Sequence, residues 1–246
     1  MQERTVPIKT PQGIMDAFIA HPDGAGPFAP VVMYQNIGGL GDSMREMARR
    51  VASEGYYCAV PDLYYRLGKI VFDPDSEDEH VLAIRNAAKT SVKNAAVVAD
   101  TRVLLDFMAS EPMLCSSPKG AIGYCMGGRF ALLAAGHIAD EFRAAASLYG
   151  VGLITDAPDS PHLVLDRIQG EIYCGFAEHD PVVPAALVDR FSELVKGCAA
   201  KSLVETHPGT HHGYAFPGRA VYHEEAAEKS WERIFAMFRR QLAPRK

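Results

Sequence analysis

Five cysteines are scattered through the 246 residues, and one of them, Cys125, sits inside Gly123-Tyr124-Cys125-Met126-Gly127-Gly128. The apolar pair Ala121-Ile122 precedes this stretch and the helix-like Arg129-Phe130-Ala131-Leu132-Leu133 follows it. A strand that turns abruptly into a helix strains the turning residue, and small neighbours let the flanking segments approach each other. The pattern is G-x-C-x-G, the strand-to-helix elbow that presents a nucleophile, with sulfur in place of the usual hydroxyl. A thiol at a helix N-terminus is favoured as thiolate by the helix dipole and the unpaired N–H groups. Cys58, Cys115, Cys174 and Cys198 lack such a frame and are read as small packing residues. A G-x-G-x-x-G dinucleotide loop is discarded, because Cys125 stands where its second glycine belongs.

A sulfur nucleophile needs a base, and the base needs an acid to orient it, in the chain order nucleophile, acid, histidine for an elbow of this type. The run Glu171-Ile172-Tyr173-Cys174-Gly175 leads to Glu178-His179-Asp180-Pro181, and Asp180 stands where the chain leaves the sheet. Glu178 is the rival acid, and His179 reads as a loop residue. Further on, His207-Pro208-Gly209-Thr210-His211-His212-Gly213-Tyr214 offers three histidines. His212 is preferred as the base because Gly213 permits a tight return over the sheet edge, with His211 and then His207 behind it. His21, His80, His137, His162 and His223 follow no suitable strand. Acyl transfer also requires two oxyanion donors, one from the residue after the nucleophile. That residue is Met126, and the second donor is assigned to Ile37 in the loop Gln35-Asn36-Ile37-Gly38-Gly39-Leu40.

The elements that must position these groups follow a regular alternation. Residues 5–8 and 14–20 read as a short antiparallel hairpin around Pro11-Gln12-Gly13. Continuous apolar runs at 30–34, 57–60, 120–123, 144–148, 171–175 and 202–205 have the character of buried parallel strands. Between and after them, helical periodicity runs from Ser43, through 97–108, 126–139, 186–200 and 226–242, where Ala227, Trp231, Ile234 and Phe238 form one apolar stripe. Ser43 and Glu46 are spaced as a capping box, with Gly55 as the stop, and Met44, Met47 and Val51 face the sheet. The expectation is an α/β fold: a mainly parallel, doubly wound sheet flanked by helices, with the N-terminal hairpin on one edge. Residues 67–90 break the pattern with Asp73-Pro74-Asp75-Ser76-Glu77-Asp78-Glu79, and read either as a solvated excursion or as a lid.

Composition narrows the function classes. The chain is 48% hydrophobic and 22% charged, with Lys+Arg 25 against Asp+Glu 30 and a formal net charge of −5. No basic run or aromatic-basic stripe suggests nucleic acid. No apolar export segment or stretch of about 18 apolar residues is found, so a cytoplasmic protein without membrane contact is expected. The odd, scattered cysteines show no disulfide framework or zinc-ligand spacing.

With these residues assembled, the sequence resembles the dienelactone hydrolase family of the α/β-hydrolase fold. The similarity rests on the Gly123-to-Gly128 elbow, the Gln35-to-Gly39 loop, Pro61-Asp62-Leu63-Tyr64, the aspartate after Gly175-Phe176, and Pro208-Gly209-Thr210-His211-His212-Gly213-Tyr214. It implies a single α/β-hydrolase domain over 1–246 and a Cys125-His212-Asp180 triad. It further implies hydrolysis of a lactone or small ester through a thioester, without metal or cofactor; a monomer or small homo-oligomer acting on a small molecule is expected. Asn36, Tyr124, Tyr214 and Arg219 are the expected substrate contacts. The family's best-known members carry a glutamate beside Gln35 that contacts the resting thiol; Asn36 here shifts activation onto His212. They also carry an arginine soon after the histidine that holds a substrate carboxylate, and Arg219 is the nearest candidate. A broad carboxylesterase or thioesterase is the second expectation. A non-catalytic thiol sensor, which would not need His212 or Asp180, is the alternative of another class.

Overall fold

The computed structural model describes residues 1–73, 75–198 and 200–242; the rest of the 1–246 span lies outside them. The first two strands, β1 (Gln2–Thr10) and β2 (Gly13–His21), pair antiparallel in the expected hairpin, and β2 pairs antiparallel with β4 (Tyr56–Pro61). From β4 onward the sheet is parallel, through β3 (Ala29–Tyr34), β5 (Lys119–Tyr124), β6 (Phe142–Leu148), β7 (Glu171–His179) and β8 (Lys201–His211). The strand order is β1-β2-β4-β3-β5-β6-β7-β8.

The alternation of side chains along each strand divides the core into two layers. Val31 and Met33 join α1 (Asp42–Ser53) and α6 (Glu224–Gln241) on one face. Val32 and Tyr34 join α3 (Asn94–Ala109), α4 (Met126–His137) and α5 (Ala185–Lys196) on the other. Trp231, Ile234 and Phe238 are buried as the stripe predicts. Each such side chain contributes about 1.5–3 kcal/mol on burial, so both sheet faces are anchored and the strand ends become fixed platforms.

Three local expectations are corrected. The capping box does not form: α1 starts at Asp42 with Gly41 as its cap, which places Ser43 inside the first turn. Residues 67–90 are not wholly irregular, because α2 (Glu79–Ser91) occupies their second half, its first N–H groups capped by the Asp78 carboxylate. The last two strands also run further than the apolar runs suggest. Strand β8 passes through Pro208 and Gly209 by a register shift opposite the step from Ala177 to His179, and the Glu178 carboxylate accepts the Gly209 N–H at 2.7 Å. Proline and glycine mark a bulge here rather than the end of the strand.

Candidate active site

In an open parallel sheet the loops beyond the strands' carboxyl ends face a common crevice. Here that edge collects the loop after β3, Cys125 after β5, Tyr149 after β6, Asp180 after β7 and His212 after β8. Cys125 has φ 54° and ψ −116°, the strained corner anticipated from the glycine frame. A Cβ on Gly123 would lie 2.0 Å from the Gly127 carbonyl oxygen, and one on Gly127 would lie 2.3 Å from that of Tyr34. Both contacts are with backbone, so the turn can be made only without those side chains.

The charge state of the thiol follows from its neighbours. Burial raises the Cys125 pKa, but hydrogen bonding and charge from His212, the Met126 N–H and the Lys89 charge outweigh it and leave the thiol below its usual range. Burial alone pushes the thiols of Cys58 and Cys174 up. Burial also disfavours protonated His212, yet Asp180 and Cys125 hold it up to about 9. The His212 Nδ1–H donates to Asp180 Oδ2 at 2.7 Å, while Asp180 Oδ1 accepts the N–H groups of Val182 and Val183 at 2.8 and 3.0 Å. The aspartate is therefore oriented by its own turn before it orients the imidazole.

The rival residues are occupied elsewhere. Glu178 holds the β8 bulge, His211 is exposed and lies across the strands from His179, and His207 is buried against Tyr173 and Ser230. The loop after β3 is shaped by Asn36, whose Oδ1 accepts the Gly38 N–H at 2.7 Å, and by Tyr64, whose hydroxyl donates to the Ile37 carbonyl at 3.0 Å. The Ile37 N–H makes no hydrogen bond to another described residue. The Met126 N–H is directed at the thiol.

Of the expected substrate contacts, Tyr124 and Tyr214 lie fully inside the core. Tyr124 packs on Phe216 with centroids 4.9 Å apart, and the Tyr214 hydroxyl bonds Ser230 at 2.9 Å. The residues flanking the elbow and the histidine thus brace those turns from below. The acceptor of Asn36 is committed to its own loop. Arg219 packs over Gly213, next to His212, and grips Asp75 through Nε and Nη2 at 3.1 and 2.6 Å. The described residues before α2 accordingly reach the site at Asp75 and at Phe72, whose N–H donates to the Gly38 carbonyl at 2.8 Å. Tyr149, absent from the sequence reading, meets His212 edge to face at 5.0 Å; its only sequence signal is its position after an apolar strand.

A cavity of about 440 Å³ lies among Pro30, Leu114, Cys115 and Lys119, where β3 and β5 begin, at the opposite end of the sheet from these groups. Strand-end topology and the thiol chemistry favour the Cys125 edge. Among the described residues no group of three or more His, Cys, Asp or Glu is arranged to hold a metal ion, and no helix is long and apolar enough to cross a membrane.

Residues 15–242 match the model of the dienelactone hydrolase family. The "Putative carboxymethylenebutenolidase" of Synechocystis sp. is 28% identical over 228 residues, covering 92% of this chain and 91% of the relative. The protein of the same name from Salmonella typhimurium is 30% identical over 235 residues, covering 91% and 82%. The crystal structure of the "Putative Dienelactone Hydrolase" of Klebsiella pneumoniae superimposes with a TM-score of 0.84 at 26% identity, over 97% of this chain and 98% of that one. With the sheet order, the elbow and these similarities in agreement, this chain belongs to the dienelactone hydrolase family and is a hydrolase of the α/β-hydrolase fold.

Proposed function

We propose that the protein cleaves a lactone or small carboxylic ester through an acyl group carried on Cys125. The observation that carries this reading is the His212–Asp180 hydrogen bond of 2.7 Å beside a thiol held below its usual pKa. The Cys125 thiolate attacks the carbonyl carbon, and the resulting oxyanion is met by the N–H groups of Met126 and Ile37. Collapse of the tetrahedral intermediate breaks the C–O bond, with protonated His212 giving its proton to the leaving oxygen. His212, now neutral and steered by Asp180, takes a proton from water as that water attacks the thioester. Cys125 leaves as thiolate, and the acid product departs.

In this reading the substrate's charge turns on Arg219. Arg219 packs over Gly213, the residue after His212, but two of its nitrogens are engaged by Asp75. That engagement favours a second reading, a carboxylesterase or thioesterase for neutral acyl groups, over a preference for acidic lactones. The test is a panel of carboxylate-bearing lactones and neutral aryl esters, run with wild type, Cys125→Ala and Arg219→Ala. Cys125→Ala is expected to lose about 10⁴-fold or more in turnover, as nucleophile knockouts in such triads do. Wild-type turnover by that variant would remove the cysteine from the chemistry. Wild-type discrimination between acidic and neutral substrates by Arg219→Ala would remove the arginine from recognition.

A further inference from the structure

Among the described residues only two that are not glycine adopt a positive φ: Cys125 at 54° and Tyr149 at 39°. They are neighbours. Tyr124 and Leu148 are register partners at the ends of β5 and β6, so the two strained residues leave the sheet side by side. Backbone hydrogen bonds tie the corners together: the Cys125 N–H donates to the Leu148 carbonyl and the Val151 N–H to the Cys125 carbonyl, both at 3.0 Å, while the Tyr149 N–H donates to the Gly175 carbonyl at 2.6 Å. Strain at Cys125 is explained by presentation of the thiol. At Tyr149 a glycine would accept the same backbone without strain, so the conformation is maintained for the sake of the side chain.

The ring of Tyr149 is fully buried and stands edge to face with His212 at 5.0 Å and 65°, backed by Tyr214 at 5.2 Å and 71°. Its hydroxyl has no hydrogen-bond partner, so the ring rather than the oxygen makes its contacts. The imidazole bonds Asp180 through Nδ1 and interacts with Cys125, and a ring nitrogen's hydrogen-bonding direction lies in the plane of the ring. Neither stops it from rocking out of that plane. We propose that Tyr149 is a positioning residue whose ring braces the His212 imidazole, keeping it aligned between Asp180 and Cys125 through proton transfer. This rests on the assignment of Cys125 and His212 above.

The test uses Tyr149→Leu, which removes the ring, and Tyr149→Phe, which returns it without the hydroxyl. The first readout is the pH dependence of Cys125 alkylation by iodoacetamide, which reports the thiolate paired with His212 and needs no substrate. The charged groups that bear on the pair, Asp180, Lys89 on α2 and Arg129 on α4, are untouched by either substitution. In Tyr149→Leu the alkylation inflection is expected to move to the alkaline side by roughly half a pH unit or more, and kcat to fall by about ten- to a hundredfold with KM little changed. Tyr149→Phe is expected to rescue both. A folded Tyr149→Leu with the wild-type inflection and kcat would overturn the proposal. So would a folded Tyr149→Phe as impaired as Tyr149→Leu, because the hydroxyl would then be the working part. Should Tyr149→Leu not fold, Tyr149→Met is read by the same criteria. Retained turnover in Cys125→Ala would instead sink the proposed reaction, and the alkylation profile would still decide whether Tyr149 braces the histidine.

Discussion

Replacing Gly127 with alanine adds one methyl group, and the structure shows what that methyl meets. The new Cβ would lie 2.3 Å from the Tyr34 carbonyl oxygen and 2.6 Å from that of Gln35, whereas ordinary contact begins at 3.4 Å. The shortfall is about 1 Å against backbone that cannot rotate aside, so α4 and the loop after β3 must separate by roughly that distance. Those two segments carry Met126 and Ile37, the proposed oxyanion donors. A 1 Å misplacement can cost on the order of 10²-fold, and loss of one such donor costs about 10²–10³-fold. Gly127→Ala is therefore expected to lower kcat about 10²-fold with KM nearly constant, since the donors act on charge that develops only in the transition state. Overpacking of this kind also destabilises by about 1–3 kcal/mol. The assay is saturation kinetics on an aryl ester beside thermal unfolding, with iodoacetamide alkylation showing that the thiol still ionises. Gly197→Ala is the control: the added Cβ meets nothing nearer than 3.5 Å, and both measurements should stay at wild type. A folded Gly127→Ala with kcat within about twofold of wild type would refute the placement of the oxyanion donors.

Two further outcomes follow from the charges at the site. Because the Cys125 thiol is held below its usual range and His212 is raised to about 9, kcat/KM should already be developed at pH values where a free thiol is neutral. It should fall again as the pH passes about 9 and the imidazole loses the proton it must donate; Asp180→Asn, which removes the largest favourable influence on that proton, should bring the alkaline fall to lower pH. An alkaline limb unmoved in the variant would assign it to another group. Asp75→Asn should leave thermal stability nearly unchanged, as partly exposed ion pairs are worth about 0–1 kcal/mol, while lowering KM for carboxylate-bearing lactones severalfold relative to neutral esters. An unchanged ratio would mean that Asp75 does not control the use of Arg219.

The parts of the site legible in the sequence are those imposed by sterics and chain order. Gly123 and Gly127 frame Cys125 because no other residue fits against the backbone there, and the apolar runs before Asp180 and His212 mark true parallel strands. What escaped depends on contacts distant in sequence. Helix α2 buries only Ala88 among its residues, so it carries little apolar periodicity to read. Tyr124, adjacent to Cys125 at the end of β5, points into the core because neighbouring residues of a strand face opposite ways, and Tyr214, in the turn after β8, is buried with its hydroxyl on Ser230, a partner distant in sequence. Asn36 has the composition of a polar contact, but its short amide closes on its own backbone, a local bond that competes with any ligand. Tyr149 could not be singled out because a positive φ leaves no mark in residue type when the residue is not glycine.

The bulge at Pro208 and Gly209 lies two residues before the end of β8, clasped by a carboxylate from the strand beside it. Side chains alternate from one face of a strand to the other, so the number of residues in that kink decides the direction in which everything downstream of it faces. Removing one would turn the imidazole toward the far side of the sheet while leaving every apolar contact upstream intact. Where this imidazole faces is thus a matter of counting: an offset of two residues keeps it turned toward the thiol, one residue fewer would not, and so a stretch outside the site separates a working enzyme from a well-folded bystander.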